Sequence, residues 1–252
     1  MIASAFSFVI ALFLKYRPFE KSLSSISGIS YKEIFAYSVP LMTASIYGIM
    51  FRSADKFYIS RYFGEEVFAE YANGFIQLPF VGMIAGATSA VLLPLFSKKM
   101  ENPDSGDKIL AVWKSAWKKS ALIIYPLLLY FLFYAENVVI ILYGENYYGS
   151  IIYFRLALFI NFFNIIMFTP VILAMGETKF YSFVHLVVAG LIWMMGYGVI
   201  FFEGTPFLIG LMVVLLSIFK AIWLILFVAE KMQWSFKNLV PINFLAKIIF
   251  HS

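Results

Sequence analysis

The sequence predicts an all-α integral membrane protein, a polytopic bundle of about six full transmembrane helices. Of its 252 residues, 62% are hydrophobic and only 13% are charged, whereas a soluble domain averages about 25% charged and 45–50% apolar residues. No soluble core of this size could bury so much apolar surface. The apolar stretches are also continuous rather than alternating, which favours helices over a β-barrel.

Runs of residues without charge locate the predicted helices. A helix needs roughly 20 mostly apolar residues to cross the hydrocarbon core, and fewer where charged flanks extend to the interface. Four runs meet this length directly, and two are shorter or are interrupted by Lys220. The six full spans are expected near 34–60, 68–97, 115–134, 148–174, 180–202 and 206–229.

Two further apolar segments, 1–14 and 239–250, are too short to cross a membrane. The first is not a signal peptide, because its positive charges follow the apolar run. Re-entrant or interfacial segments are one interpretation, and we favour truncated spans in a piece of a longer protein. The expected division is a partial transmembrane helix at 1–14, a cytoplasmic loop at 15–33, a six-helix bundle at 34–230, and a cytoplasmic segment with the start of a further helix at 231–252.

Lysine and arginine residues alternate between the predicted loops, which sets the expected orientation. Residues 98–119 carry six of them, whereas residues 134–150 carry none. The segments expected on the cytoplasmic side are 15–33, 98–119, 175–181 and 230–238. Residues 52–66 are the exception, since they are expected outside and still carry three cations, Arg52 among them. The net charge of +5 is therefore a topology signal, and we expect no nucleic-acid partner.

One face of the first full span is small and polar and carries charge at its outer end. Its members follow alternating steps of three and four residues and are Ser38, Leu41, Ser45, Gly48, Arg52 and Asp55. Arg52 lies about 15 Å deep at 1.5 Å per residue. We expect it to face protein or a water-filled cavity, and snorkelling to the headgroups is the alternative. Asp55 is interpreted as the ion-pair partner of Arg52 or as a proton or cation coupling site.

Two more cations lie inside predicted spans. Arg155 is roughly 10 Å inside the outer interface, and Lys220 is about 14 Å from the cytoplasmic end of an otherwise apolar span. Each either snorkels or faces a cavity. A cavity lined by Arg52, Arg155 and Lys220 with Asp55 as its one carboxylate would attract anions. Arg52, Arg155 and Lys220 are the predicted anion-contacting residues, and Asp55 is the predicted coupling or ion-pair residue.

The sequence lacks the motifs that nucleotide binding, metal binding and enzymatic catalysis require. The sequence has no cysteine, no GxxxxGK[ST] phosphate loop, no HExxH motif and no usable Ser-His-Asp spacing. We therefore expect no metal, no cofactor and no enzymatic activity. Prolines lie within or near the ends of four of the predicted spans, namely Pro40, Pro79, Pro94, Pro126 and Pro170. Kinked or broken helices are used by transporters at their moving parts, so this pattern favours a transporter.

The order of several short motifs resembles a known family. The run YSVPLMTASIYGIMFRSADKFYISRYFGEEVFAEYANGF is similar to the start of the second half of bacterial and archaeal polysaccharide flippases. These belong to the multidrug/oligosaccharidyl-lipid/polysaccharide exporter superfamily. LLPLFSKKM looks like the family's Pro-x-x-Ser span exit, LYGENYYGS like its outer turn, and LAMGETKFY like its cytoplasmic Gly-x-x-Lys turn. The resemblance covers roughly residues 31–230.

The resemblance implies an O-antigen-type flippase of the cytoplasmic membrane, with this chain as its second six-helix bundle. Its substrate would be an oligosaccharide on an undecaprenyl-type pyrophosphate carrier, moved by alternating access for surface polysaccharide synthesis. Expected partners are membrane lipids and a glycan polymerase or other surface-polysaccharide machinery. The alternatives are a drug or cation antiporter of the same superfamily, which needs a carboxylate-rich cavity, and a non-transporting membrane scaffold, in which the three cations share no cavity. A lipid-processing enzyme would need clustered carboxylates or histidines in its loops.

Overall fold

The chain is built from α-helices in the part that the computed structural model describes, which is residues 30–100, 106–164 and 168–235. A 3-10 turn, Glu145–Tyr147, separates two of them. The helices are α1 (Tyr31–Tyr62), α2 (Glu65–Gly74), α3 (Pro79–Met100), α4 (Gly106–Phe133), α5 (Ala135–Tyr143), α6 (Ser150–Asn164), α7 (Thr169–Ala174), α8 (Thr178–Phe201) and α9 (Pro206–Lys231). The predicted partial spans at 1–14 and 239–250 lie outside the described residues.

Five of the described helices are long and apolar enough to cross a membrane: α1, α3, α4, α8 and α9. A shorter apolar helix, Ser150–Phe163, accompanies them. At 1.5 Å per residue, even the 22 residues of α3 extend about 33 Å, which matches a hydrocarbon core of about 30 Å. The fold class predicted from composition is therefore confirmed, and the protein is a polytopic membrane helix bundle.

By its internal contacts the chain divides into two units, residues 1–38 and 39–252. Residues 30–38 of the first unit contain the start of α1, which has a reciprocal N-terminal cap. The Lys32 backbone N–H donates to Ser30 Oγ, and the Ser30 backbone N–H donates to Glu33 Oε2, each at 3.3 Å. These bonds satisfy donors that the first turn of a helix leaves free. The S-x-x-E spacing of the sequence thus accounts for where α1 begins.

The second predicted span, expected to be continuous over 68–97, is broken. Helix α2 ends at Gly74, and α3 begins only at Pro79. Proline has no backbone N–H and a fixed φ, so it suits the first turn of a new helix, where no intrahelical donor is needed. A hydropathy run cannot detect this break, because residues 75–78 are almost as apolar as the helices beside them.

The fourth predicted span, 148–174, also contains two helices. Helix α6 extends to Asn164, and the six-residue α7 starts at Thr169 with Pro170 in its first turn. By contrast, α1, α3 and α4 each continue through an internal proline, which are Pro40, Pro94 and Pro126. A proline in these spans therefore marks a break in two cases and is accommodated in three.

The 15-residue helix α6 lies at the centre of the second unit. It packs against α2, α3, α4, α5 and α9. Most of its side chains are buried, with Phe154 and Leu158 each 1% exposed. On the α2 side the contact is especially close, since a Cβ added to Gly74 would meet the Ser150 carbonyl and the Tyr153 Cβ, the latter at 2.8 Å. Apart from one exposed face that carries Ile152, Arg155 and Phe159, α6 is buried, so this helix belongs to the core although it is shorter than a full span.

Helices α1 and α8 are held together by hydrogen bonds at two levels. Tyr58 Oη donates to the Trp193 carbonyl at 2.6 Å, and Trp193 Nε1 donates to the Met50 carbonyl at 3.2 Å. Further along, the Thr43 and Ser182 hydroxyls are 2.7 Å apart. Hydrogen bonds between membrane helices contribute about 0.6 kcal/mol each on average. The three bonds fix the rotation of α1, and with it the direction in which its charged residues point.

The Tyr58 ring packs on Gly196, and this contact predicts a substitution that destabilises the bundle. A Cβ at position 196 would overlap the ring, so we expect Gly196→Ala to lower the free energy of unfolding by about 1–3 kcal/mol. Gly198→Ala, two residues later, has open space and should raise it by up to about 1 kcal/mol. Thermal unfolding in detergent would measure both. Equal effects of the two substitutions would contradict the contact.

Candidate functional site

A cavity of about 890 Å³ lies within the second unit. Residues from α1, α2, α3, α6, α7, α8 and α9 line it, together with the break between α2 and α3. Such a volume is at the upper end of the roughly 300–1,000 Å³ of typical ligand sites. Its polar lining includes Gln77, Ser89, Thr169, Tyr181 and Ser217. The cavity is therefore large enough and polar enough to hold a hydrophilic ligand and water within an apolar bundle.

The charges that line the cavity are mainly positive. They are Arg52 and Lys56 from α1, Lys220 from α9, and one carboxylate, Asp55. Arg52 and Lys56 are four residues apart and so share a face of α1. Lys56 is not among the predicted site residues, but the structure places it on the cavity wall. The spacing from Arg52 was the sequence signal that could have assigned it there.

Asp55 is 3% exposed and binds a tyrosine rather than an arginine. Its Oδ2 accepts a hydrogen bond of 2.6 Å from Tyr71 Oη of α2. The other oxygen, Oδ1, is buried and accepts no hydrogen bond from any described residue. Buried polar atoms are nearly always paired, so an unpaired carboxylate oxygen at a cavity is notable. Residue spacing in the sequence could not have predicted the contact between Tyr71 and Asp55, because this contact depends on how α2 packs against α1.

Of the two roles expected for Asp55, the ion pair with Arg52 is not formed. Within residues 30–100, 106–164 and 168–235, neither side chain takes part in an ion pair. Helical spacing allows the pair, but Asp55 is turned towards Tyr71 whereas Arg52 is exposed in the cavity. The guanidinium of Arg52 and the ring of His185 both lie beside Gly48, where a Cβ would be 4.0 Å from Arg52 Nη1 and 3.9 Å from His185 Cδ2.

Lys220 has no carboxylate partner among the described residues. Its ammonium group lies 5.2 Å from the centroid of the Phe51 ring on α1, which is within the range of a cation–π contact. The positive charge of Lys220 is thus held at the cavity without being neutralised. His185 lies on α8. Its Nδ1 is 2.9 Å from the Tyr181 carbonyl oxygen, a contact typical of a packed histidine. His185 also lines the cavity.

Arg155 does not join the other predicted site residues. It is absent from the wall of the large cavity and lines a separate cleft of about 310 Å³ between α5 and α6. Helix α6 turns its Ala157 and Ile160 to the large cavity, and Arg155 lies on another side of the same helix. The prediction that three cations share one concave surface is therefore wrong for Arg155, whereas Arg52, Asp55 and Lys220 do come together.

The fold and the cavity define a class: a multi-pass membrane protein with a cation-rich internal site. The chain also matches the family described as polysaccharide biosynthesis protein over residues 1–152, which is more than half of its length. It therefore belongs to the polysaccharide biosynthesis protein family. Searches of curated proteins and of solved structures give no match. The family match includes Arg52, Asp55 and Tyr71, and it ends before Arg155 and Lys220.

Proposed function

We propose that the protein is a flippase that moves a lipid-linked oligosaccharide across the cytoplasmic membrane for cell-surface polysaccharide synthesis. The observation that carries this proposal is the cavity within the helix bundle, whose described lining includes three cations and one carboxylate. Membership of a polysaccharide biosynthesis family supplies the biological context. The carrier lipid proposed for the oligosaccharide is an undecaprenyl-type pyrophosphate, and the mechanism proposed is alternating access. No enzymatic step is part of the proposal.

The charge of the cavity supports a phosphorylated substrate. Burying unpaired cations in a membrane protein is costly, and such residues generally mark a substrate or ion pathway. Arg52 can bind a phosphate through two parallel N–H donors, whereas Lys220 and Lys56 act as point charges. Arg52, Lys56 and Lys220 form no ion pair with any described residue, and a pyrophosphate would supply the negatively charged partner. The same charge disfavours a cation antiporter, since Asp55 is the one described carboxylate on the cavity wall.

Aromatic rings on the cavity wall suit the sugar part of such a substrate. Three partly exposed rings line it, Phe75, Phe163 and Tyr181, whereas two further rings on the wall, Phe51 and Phe168, are buried. Ring faces offer broad apolar surface with a negative quadrupole, against which the C–H faces of sugar rings can pack. Gln77, Ser89 and Ser217 add hydrogen-bonding groups for hydroxyls. A ligand with both phosphate and sugar therefore matches the two kinds of surface.

Asp55 is proposed to act in coupling. Its Oδ1 has no described partner and its Oδ2 is held by Tyr71, so the carboxyl group can take up a proton or a cation without breaking another contact. The broken segment between α2 and α3 contributes Phe75, Ile76 and Gln77 to the same cavity. Discontinuous helices of this kind are where transporters rearrange, and we propose that opening and closing occur around this break.

Substitution of Arg52 tests the proposal. In cells that depend on the full natural protein for surface polysaccharide, we expect Arg52→Gln to reduce export at least about tenfold. Loss of one hydrogen bond to a charged group costs about 1.5–3 kcal/mol, and 1.4 kcal/mol corresponds to a factor of ten. Arg52→Lys keeps the charge and should retain part of the activity. Pulse-labelled polysaccharide at the cell surface is the measurement.

Arg61→Gln is the matched control for this experiment. It removes a cation from the same helix, but Arg61 is exposed and lies outside the cavity wall, so export should be unchanged. Normal export by Arg52→Gln at equal protein level would refute the anionic-substrate proposal. Equal losses from Arg52→Gln and Arg61→Gln would point to a general charge effect and would also refute it.

A further inference from the structure

The cleft that contains Arg155 also contains a carboxylate that does not pair with it. The cleft is lined by Glu136, Tyr148, Gly149, Ile151, Ile152 and Arg155. Glu136 is in the first turn of α5 and Arg155 is in the second turn of α6. Among the residues that the structure describes, neither side chain forms an ion pair or a hydrogen bond. Opposite charges that share a cleft while remaining apart leave room for a ligand that carries both charges.

The surroundings of the cleft are apolar and exposed. Tyr148 and Ile152, on its wall, are 60% and 49% exposed, and Ile141 of α5 is 81% exposed. The cleft follows the C-terminal end of α4, whose other end carries Lys108 and Lys114. It therefore lies at the membrane end opposite the lysine-rich segment. Charged groups within an apolar surface at the end of a membrane bundle match the level of lipid headgroups.

We propose that this cleft binds the headgroup of a zwitterionic phospholipid with a primary ammonium group, such as phosphatidylethanolamine. Arg155 would hold the phosphate through its planar pair of N–H donors. Glu136 would accept hydrogen bonds from the ammonium group. A volume of about 310 Å³ is at the small end of ligand sites, which suits a headgroup whose acyl chains lie outside along Ile152 and Ile141.

A third charged group favours the ammonium end of the ligand. The carboxylate of Glu70, on α2, lies against Gly149, so that a Cβ at position 149 would overlap it. Glu70 does not itself line the cleft, but its charge beside Gly149 adds to that of Glu136 and disfavours a purely anionic headgroup, because like charges repel. Phosphatidylglycerol lacks the ammonium group, and the quaternary ammonium of phosphatidylcholine has no N–H to donate. This site is separate from the large cavity and does not depend on the proposed flippase activity.

Competitive lipid retention tests the proposal. Purified full-length protein would be supplied with equal amounts of phosphatidylethanolamine, phosphatidylglycerol and phosphatidylcholine of the same acyl chains, and the retained lipid counted by native mass spectrometry. We expect phosphatidylethanolamine to be preferred at least about fivefold. Arg155→Gln should lower retention of all three lipids. Glu136→Gln should abolish the preference for phosphatidylethanolamine over phosphatidylglycerol while phosphate-dependent retention persists. Arg61→Gln, an exposed cation outside the cleft, should change nothing.

Three outcomes would overturn the proposal. The first is equal retention of the three lipids by the unsubstituted protein, and the second is a preference for phosphatidylethanolamine that survives Glu136→Gln. The third is displacement of the lipid by millimolar soluble phosphoethanolamine, since this would identify a soluble ligand rather than a lipid as the occupant. Because Glu136 and Arg155 are both exposed, their substitution should not unfold the protein, and an unchanged thermal midpoint would verify this.

Discussion

Replacing Lys220 with methionine is expected to make the protein more stable and less active at the same time. Lys220 has no described carboxylate partner and contacts the Phe51 ring through a cation–π interaction. A lysine at the centre of a membrane helix costs about 2.5–3.5 kcal/mol on insertion scales. Part of that cost is relieved by the cavity, so we expect Lys220→Met to raise the free energy of unfolding by about 1–3 kcal/mol.

The loss of activity in Lys220→Met has a separate cause. If the ammonium group binds phosphate in the cavity, its removal should lower polysaccharide export at least about tenfold. The reason is that a hydrogen bond to a charged group, worth about 1.5–3 kcal/mol, is lost. Denaturant unfolding in detergent and surface-polysaccharide labelling would measure the two effects. If Lys220 had a purely structural role, its replacement would lower the free energy of unfolding. A destabilised Lys220→Met variant with reduced export would therefore contradict the assignment of Lys220 to phosphate binding.

Lys179→Met is the matched control for Lys220→Met. Lys179 is exposed in the first turn of α8 and does not line the cavity. The substitution makes the same chemical change at a position where the ammonium group is solvated, so neither stability nor export should change by more than the usual surface effect of about 0.5 kcal/mol.

Gly74→Ala is expected to disrupt the core around α6. Gly74 ends α2, and a Cβ at this position would overlap the Ser150 carbonyl oxygen and lie 2.8 Å from the Tyr153 Cβ. These atoms belong to the backbone and to the first side-chain carbon of a buried helix, so they cannot move aside as the end of a flexible side chain could. Overpacking costs about 1–3 kcal/mol and occasionally more. We expect the upper part of that range, and little folded protein after extraction.

Gly82→Ala provides the comparison for Gly74→Ala. A Cβ at position 82 of α3 meets no atom within 4 Å, so the better helix propensity of alanine should raise stability by up to about 1 kcal/mol. Thermal unfolding and the monodisperse fraction in detergent are the measurements. A Gly74→Ala protein as stable as the Gly82→Ala protein would show that α2 and α6 do not approach as closely as described.

The sequence predicted the spans well where hydropathy and helix limits coincide. The span expected at 180–202 is α8, Thr178–Phe201, and the span expected at 206–229 is α9, Pro206–Lys231. The spans expected at 68–97 and 148–174 each contain two helices. Hydropathy measures transfer from water to lipid, and it does not record whether backbone hydrogen bonds continue. The breaks before Pro79 and Pro170 depend on backbone geometry, which a continuous apolar run in the sequence does not reveal.

The candidate site was likewise only partly predictable from the sequence. The small-polar face of α1 predicted a cavity wall, and Gly48, Arg52 and Asp55 do line the cavity. Lys220 lines it as well, although it lies 168 residues after Arg52 in the sequence. Arg155 was placed in the same site because its depth suggested it. Depth along a helix is readable from the sequence, but the rotation of one helix relative to another is not.

Composition and the positions of charged residues along the chain determined that this protein is a helical membrane bundle with more positive than negative charge in its spans. That much follows because each residue's transfer free energy between water and lipid depends on the residue itself. The tertiary structure decided which charges meet: it turned Asp55 towards Tyr71, brought Lys220 to Phe51 beside Arg52, and left Arg155 with Glu136. These contacts depend on helix rotation and helix breaks, which packing among all the helices fixes together.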